Sequence, residues 1–276
     1  MSYTKSLQAG VQQSWLSFLD TENFAIGNTT TTISAGAIRG SYPFIGIQQM
    51  PTGIPEGDTV VVPGDDTVLG NFIFTSEAPR EFLMNFGQFD LTLDAMLQGT
   101  LVETLGNWKI GLGDPGNPSY PSVSLIINSR SIKRDSGLSG QAAWNCFIYP
   151  VVQIQPLNRE TLQGRTAGIN RYKGVAQQAF NHPWGVTIAE AVNGDTSSYV
   201  FPVTSDYPLT LDALRGDGIV TAWVVNKTPI STGETKAFAE RVAQTVNSIT
   251  AATKTVTITT PIASNARGVI IYGYSS

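Results

Sequence analysis

The chain has 276 residues, 41% of them hydrophobic but only 14% charged, and its 17 basic and 21 acidic side chains leave a formal charge of -4. There is apolar material for a large core, but not the basic excess that grips a phosphate backbone, so tight DNA or RNA binding is disfavoured. Charge well below the roughly 25% of an average soluble domain, with Thr, Ser, Asn and Gln abundant instead, points to a surface covered by neutral polar groups or by other subunits.

In chain order, residues 1–8 lack a basic stretch followed by an apolar one, and no later run is apolar for the ~18 residues a membrane span requires. A soluble, cytosolic product with no membrane insertion is expected. Residues 12–19 suit an apolar-faced turn or two, but Thr, Asn and Gly follow at once. The stretch reads as the end of an N-terminal arm, residues 1–28. Trp15, Leu16, Phe18 and Leu19 would then lack a domain of their own to cover them, which makes them candidate subunit contacts. A main β domain is expected over residues 29–200, and residues 201–276 form a C-terminal β extension or complete the same domain. Its possible boundary lies within residues 193–205.

Within that domain, residues 58–62, 71–75, 81–86 and 123–127 are short runs rich in Val, Ile, Phe and Thr, bounded by Gly, Pro or Asp, as strands are. Residues 219–225 read the same way. Asp90 can cap a short helix over 91–98, with Gly99 as its left-handed stop. Residues 238–249 fit either a helical stripe or a strand, and Val and Thr content favours the strand. Residues 255–259 and 268–274 predict two strands joined by an antiparallel return loop, with Val256 and Ile258 on one face. Leu91-Thr92-Leu93-Asp94-Ala95 recurs as Leu209-Thr210-Leu211-Asp212-Ala213. The flanks do not align, so chance explains it better than duplication. The Gly- and Pro-rich loops 51–57 and 111–121 read as interaction surfaces or disordered segments.

Motifs for catalysis dissolve on inspection. Gly111, Gly113 and Gly116 match G-x-G-x-x-G, but Pro115, Asn117 and Pro118 prevent the helix a dinucleotide site needs. Ser139 lacks the final glycine of a nucleophile elbow and reads as a polar turn. His182, the one histidine, reads as a loop or partly buried residue, and Asp65-Asp66 as a turn. The lone Cys146, in an apolar run, reads as a small buried residue. Arg215-Gly216-Asp217 leads into an ordinary turn at Asp217-Gly218, and the sequons at Asn28 and Asn226 carry no weight without a secretory signal. No enzyme, cofactor or metal role is expected.

Three places carry a likeness. They are residues 71–86 leading into 90–99, residues 136–144 before the strand ending Tyr149-Pro150, and the closing segments 255–258 and 269–274. In the order of these elements the chain resembles phage major tail proteins, the tail-tube subunits of long-tailed bacteriophages. The resemblance implies a mainly β fold, a sandwich or barrel with a short flanking helix, in hexameric rings whose inner sheets join into one barrel. It further implies an N-terminal arm and a long loop binding the adjacent ring. The implied partners are copies of the chain, the tape-measure, tail-tip and terminator proteins, and DNA in transient, non-specific passage. The implied location is the virion tail, after synthesis in the host cytoplasm.

A conduit must let a polyanion slide, so a net acidic lumen is expected. Asp58, Glu77, Glu81 and Glu103, beside predicted strands, are the candidates. A charge of -4 on each of six copies sums to about -24 per ring, screened beyond roughly 8 Å at physiological salt. The alternatives are another virion protein (capsid, decoration or baseplate) and a carbohydrate-binding β-sandwich. In the latter, Trp108, Trp144, Trp184 and Trp223 would be stacking platforms; their scatter favours core packing instead.

Overall fold

The structure, a computed structural model, describes residues 6–19, 25–27, 38–40, 42–44, 47–49, 58–63, 68–74, 80–86, 91–98, 100, 102–112, 120–135, 138–157, 170–177 and 201–275. The N-terminal part forms β1 (Ser6–Leu19), β2 (Ala25–Gly27), β3 (Ile38–Gly40), β4 (Tyr42–Phe44), β5 (Ile47–Gln49), β6 (Asp58–Pro63), β7 (Val68–Phe74), β8 (Arg80–Phe86) and α1 (Leu91–Leu97). The middle forms β9 (Val102–Leu105), β10 (Trp108–Leu112), β11 (Ser122–Asp135), β12 (Leu138–Pro156) and β13 (Asn170–Gln177). The rest forms β14 (Phe201–Ser205), β15 (Leu209–Arg215), β16 (Ala222–Val224), β17 (Thr235–Ala239), β18 (Val242–Gln244), β19 (Val246–Thr250), β20 (Thr255–Ile258) and β21 (Arg267–Gly273). The protein is mainly β, with antiparallel sheets and almost no helix, as expected.

The large sheet runs β2-β1-β11-β12-β13-β8-β5, with β4 added on β1 and β14 on β12. Its ends approach each other. β4 pairs on β1, and two residues later β5 pairs on β8 and touches β1. Alternation sorts the side chains between two faces. Leu16 and Phe18 of β1, Leu125 and Ile127 of β11, Tyr172 of β13 and Met84 of β8 join Leu93 and Leu97 of α1 in one buried cluster. Leu93 and Leu97, four apart, lie on one helical stripe. Trp15 and Leu19, Ile126, and Cys146 and Ile148 point the other way. Along β12 the register slips between Leu125↔Tyr149 and Val123↔Val152. This bulge reverses the alternation, so Val151 rejoins Ile148 on one side while Val152 and Ile154 follow Tyr149 on the other.

Residues 209–275 build two further sheets, β18-β17-β21-β15-β3, to which β3 is added from outside that range, and β16-β20-β19. A single apolar cluster links the outer face of the large sheet to both. It runs from Trp15, Ile126 and Ile148 through Leu211, Phe238 and Ile270 to Trp223, Val256 and Ile258. The five-stranded sheet is therefore covered on both faces. That is why six successive residues from Leu209 to Leu214 are all buried, without the alternation of a half-exposed strand.

Several expectations change here. Residues 12–19 are no arm but part of β1, paired with β11 from Ser6↔Lys133 to Phe18↔Val123. β14 pairs with β12 of the large sheet, while β15 pairs with β21 and with β3. The segments 255–259 and 268–274 do not pair: β20 lies between β16 and β19, while β21 lies between β15 and β17. Val256 and Ile258 do share a buried face. Ser139 lies in β12 opposite Arg134, not in a turn. Residues 238–249 are strands, as expected. The strand expected over 219–225 shrinks to β16 because Asp217 Oδ1 accepts the N–H groups of Ile219 and Val220, at 2.8 and 2.7 Å. Those two donors are lost to any ladder, so Asp217-Gly218 is a turn, while Arg215 still pairs within β15.

The recurring pentapeptide takes two folds. Residues 91–95 are helical, and residues 209–213 are strand. A duplicated half is thereby excluded. Both aspartates are buried and both accept a tyrosine hydroxyl, Asp94 from Tyr172 at 2.5 Å and Asp212 from Tyr272 at 2.8 Å.

Gly174 faces Phe82 across the β13–β8 pair, and a Cβ there would lie 2.4 Å from Phe82 Cζ. The ring packs onto the bare glycine and leans on Tyr149, with centroids 5.1 Å apart. Gly174→Val is expected to lower stability by about 1–3 kcal/mol through overpacking. Urea midpoints check this, and adding Phe82→Ala should recover part of the loss in the Gly174→Val background if the clash is the cause.

Candidate assembly surfaces

The four predicted interface residues are covered by their own chain: Trp15 is 8% exposed, Leu16 0%, Phe18 1% and Leu19 6%. They need no neighbouring subunit to cover them, because a strand inside a sheet with both faces packed has no free side. Trp15 is instead a junction between the large sheet and residues 209–275. Its Nε1 donates to Tyr274 Oη at 3.1 Å, the two rings meet edge to face at 5.9 Å, and Lys227 Nζ stands 5.3 Å from the ring centroid. Tyr274 in turn donates to Gln13 Oε1. Beside it, Asn128 of β11 meets the backbone of Leu209 as a strand residue would, donating Nδ2 to its carbonyl at 2.8 Å and accepting its N–H at 3.0 Å.

Beyond the ground covered by residues 209–275, the outer face of the large sheet carries Glu81 and Leu83 of β8 and Arg171, Lys173 and Val175 of β13, exposed or half-buried. Leu83 is 57% exposed, and Lys173 Nζ lies 2.7 Å from Glu81 Oε1. Of the acidic lumen candidates, Glu81 sits on this face, and Glu103 is exposed on the separate β9–β10 hairpin. Asp58 opens β6 opposite Phe74, and Glu77 falls outside the described residues. Glu81 and Glu103 thus lie on different sheets. Arg171 and Lys173, on the same face as Glu81, were not singled out from the sequence, although polar and apolar residues alternate from Asn170 to Gln177 and mark a half-exposed strand.

The remaining candidates fall out of contention as a site or lie out of view. Trp223 is fully buried and Trp144 packs against the same core. His182, Trp184, Asp65-Asp66 and the loops 51–57 and 113–119 lie outside the described residues. Among the described residues no group of three or more His, Cys, Asp or Glu is placed to hold a metal, and no helix is long and apolar enough to cross a membrane. Burial pushes the Cys146 thiol up to about 12. A thiol-specific reagent at pH 8 should therefore leave Cys146 unmodified in the folded chain and react promptly in denaturant. Fast reaction in the native state would contradict this burial.

Comparison with family models, with curated proteins and with solved structures gave no match.

Proposed function

We propose that the chain is a structural virion protein, a self-assembling subunit of a phage tail tube that forms the conduit for DNA ejection. Support comes first from the order of elements that resembles major tail proteins. The observation that carries the reading furthest is a rolled antiparallel sheet whose outer face is only partly covered by the chain's own C-terminal strands. Among the described residues Glu81, Leu83, Arg171, Lys173 and Val175 stay exposed or half-buried on that face, and strand pairing between copies is a ready way for such a sheet to associate. Hexameric rings stacked into a tube, with tape-measure, tail-tip and terminator proteins as partners, follow from the resemblance. On this reading the lumen is net acidic, with Asp58, Glu77, Glu81 and Glu103 as its candidates, and Arg171 and Lys173 share the face that carries Glu81.

Sedimentation velocity and negative-stain imaging of purified protein, with and without a nucleating tail-tip complex, test the reading. Rings or tubes are expected. A stable monomer at every concentration and in both conditions would overturn it, and so would a lumen lined mainly by Lys and Arg in the assembled tube.

A further inference from the structure

Residues 38–49 pair in succession with three separate hosts. β3 adds to the edge of β15 (Gly40↔Asp212, Arg39↔Ala213, Ile38↔Leu214), β4 to β1 (Tyr42↔Leu16, Pro43↔Trp15, Phe44↔Ser14) and β5 to β8 (Ile47↔Phe86, Gln49↔Asn85). Each addition is three residues long, on hosts of seven, fourteen and seven residues. Pro43 has no N–H to give to its ladder. The segment is thus a belt that covers the ends of the large sheet and the edge of the five-stranded sheet, and holds each by few bonds. In sequence it is bracketed by residues 28–37 and 50–57. Stretches of ten and eight residues can span at most roughly 33 and 26 Å.

We propose that this belt is exchanged between copies: in the free chain it pairs with the chain's own β15, β1 and β8, and in the polymer with the same three edges of an adjacent copy. The proposal rests on the self-assembly reading. Large exposed apolar side chains among the described residues are scattered over different elements, Leu83 on β8, Leu105 on β9, Ile219 before β16, Val224 on β16 and Val242 on β18. Among the described residues they form no single apolar face, and the short belt strands offer backbone pairing as a link. An identical copy offers an identical edge, so exchange breaks and remakes the same bonds and is favoured once copies are held at high local concentration.

Gln49→Cys and Asn85→Cys test it, because Cα partners across an antiparallel pair lie within disulfide reach. Cys146 is buried and stays out of the reaction. Chains carrying only Gln49→Cys are mixed with chains carrying only Asn85→Cys, assembled, and oxidised. A covalent dimer on a non-reducing gel, absent from either variant oxidised alone, is expected in up to about half of the polymerised protein, because random mixing seats about half of the Gln49→Cys belts on Asn85→Cys chains. The double variant oxidised before assembly locks its belt at home and should fail to polymerise until reduced. Arg39→Cys with Ala213→Cys repeats both arms at the other end of the belt, should the first pair disturb folding. Polymers that give no mixed dimer, or that form from locked chains, overturn the exchange and leave the assembly reading intact. Absence of polymer from the unmodified chain overturns both.

Discussion

Deleting residues 2–20 should leave a chain with no cooperative unfolding transition. β1 is flanked by β11 along one edge and by β2 and β4 along the other, and it contributes to both apolar clusters. Burying Trp15, Leu16, Phe18 and Leu19 stabilises the fold by about 1.5–3 kcal/mol each, or roughly 6–12 kcal/mol together. That is as large as the whole net stability of a typical domain, roughly 5–15 kcal/mol. A detachable arm would behave in the opposite way, leaving a folded monomer that cannot polymerise. Trp15→Ala isolates the junction with residues 209–275. It should cost about 3–5 kcal/mol, since it removes a large buried ring together with its hydrogen bond and the cation above it. Near-ultraviolet circular dichroism and thermal melts read both variants. A sharp melt from the truncated chain would show that β1 is dispensable.

Asp212→Ala is expected to be nearly as damaging, at about 3–5 kcal/mol, although it removes few atoms. The carboxylate is fully buried and collects three donors: Asn226 N–H at 2.8 Å, Asn226 Nδ2 at 2.9 Å and the Tyr272 hydroxyl at 2.8 Å. The Tyr272 hydroxyl left unpaired in the interior costs about 1–3 kcal/mol, and the two bonds to Asn226, an exposed residue, are lost with it. Tyr272 Oη also accepts the N–H of Lys227 at 3.0 Å, so the network fixes the turn that carries Lys227 toward Trp15. Burial, reinforced by the Asp212 charge, pushes the Tyr272 hydroxyl far above its ordinary range, and it stays a donor at any working pH. Tyr272→Phe leaves Asp212 two of its donors and should cost less, about 1–2 kcal/mol. Urea midpoints that rank the two variants in reverse would mean that Asp212 is not the centre of the network.

The strand content was legible because most apolar runs here are four to eight residues long with turn residues at their ends, and the short helix because Asp90 and Gly99 frame it. What failed was pairing. The run from Trp15 to Leu19 shows no alternation because even Ser14 and Ser17 are buried, at 2% and 0%, and a strand packed on both faces looks locally like a helical turn or a loose arm. Nothing near Val256 records that β20 joins β16 and β19 rather than β21. Leu209-Thr210-Leu211-Asp212-Ala213 makes the point most directly. The same five residues are helix beside Tyr172 and strand beside Tyr272, so distant contacts decide between them. Trp15 was picked out from its local pattern as a contact residue, but its partner Tyr274 is 259 positions away, and no local signal connects them.

The belt also has a consequence for how the protein is made. Ile38–Gly40 leaves the ribosome roughly 170 residues ahead of the β15 positions it joins, an interval of about 10–30 s at ordinary elongation rates. Throughout that time the β3 segment has no mate within its own nascent chain. Neighbouring ribosomes on one message would hold such segments close to β15 strands newly emerged from other chains. Synthesis on crowded polysomes therefore gives the β3 segment an opportunity to pair with another chain before its own β15 has emerged.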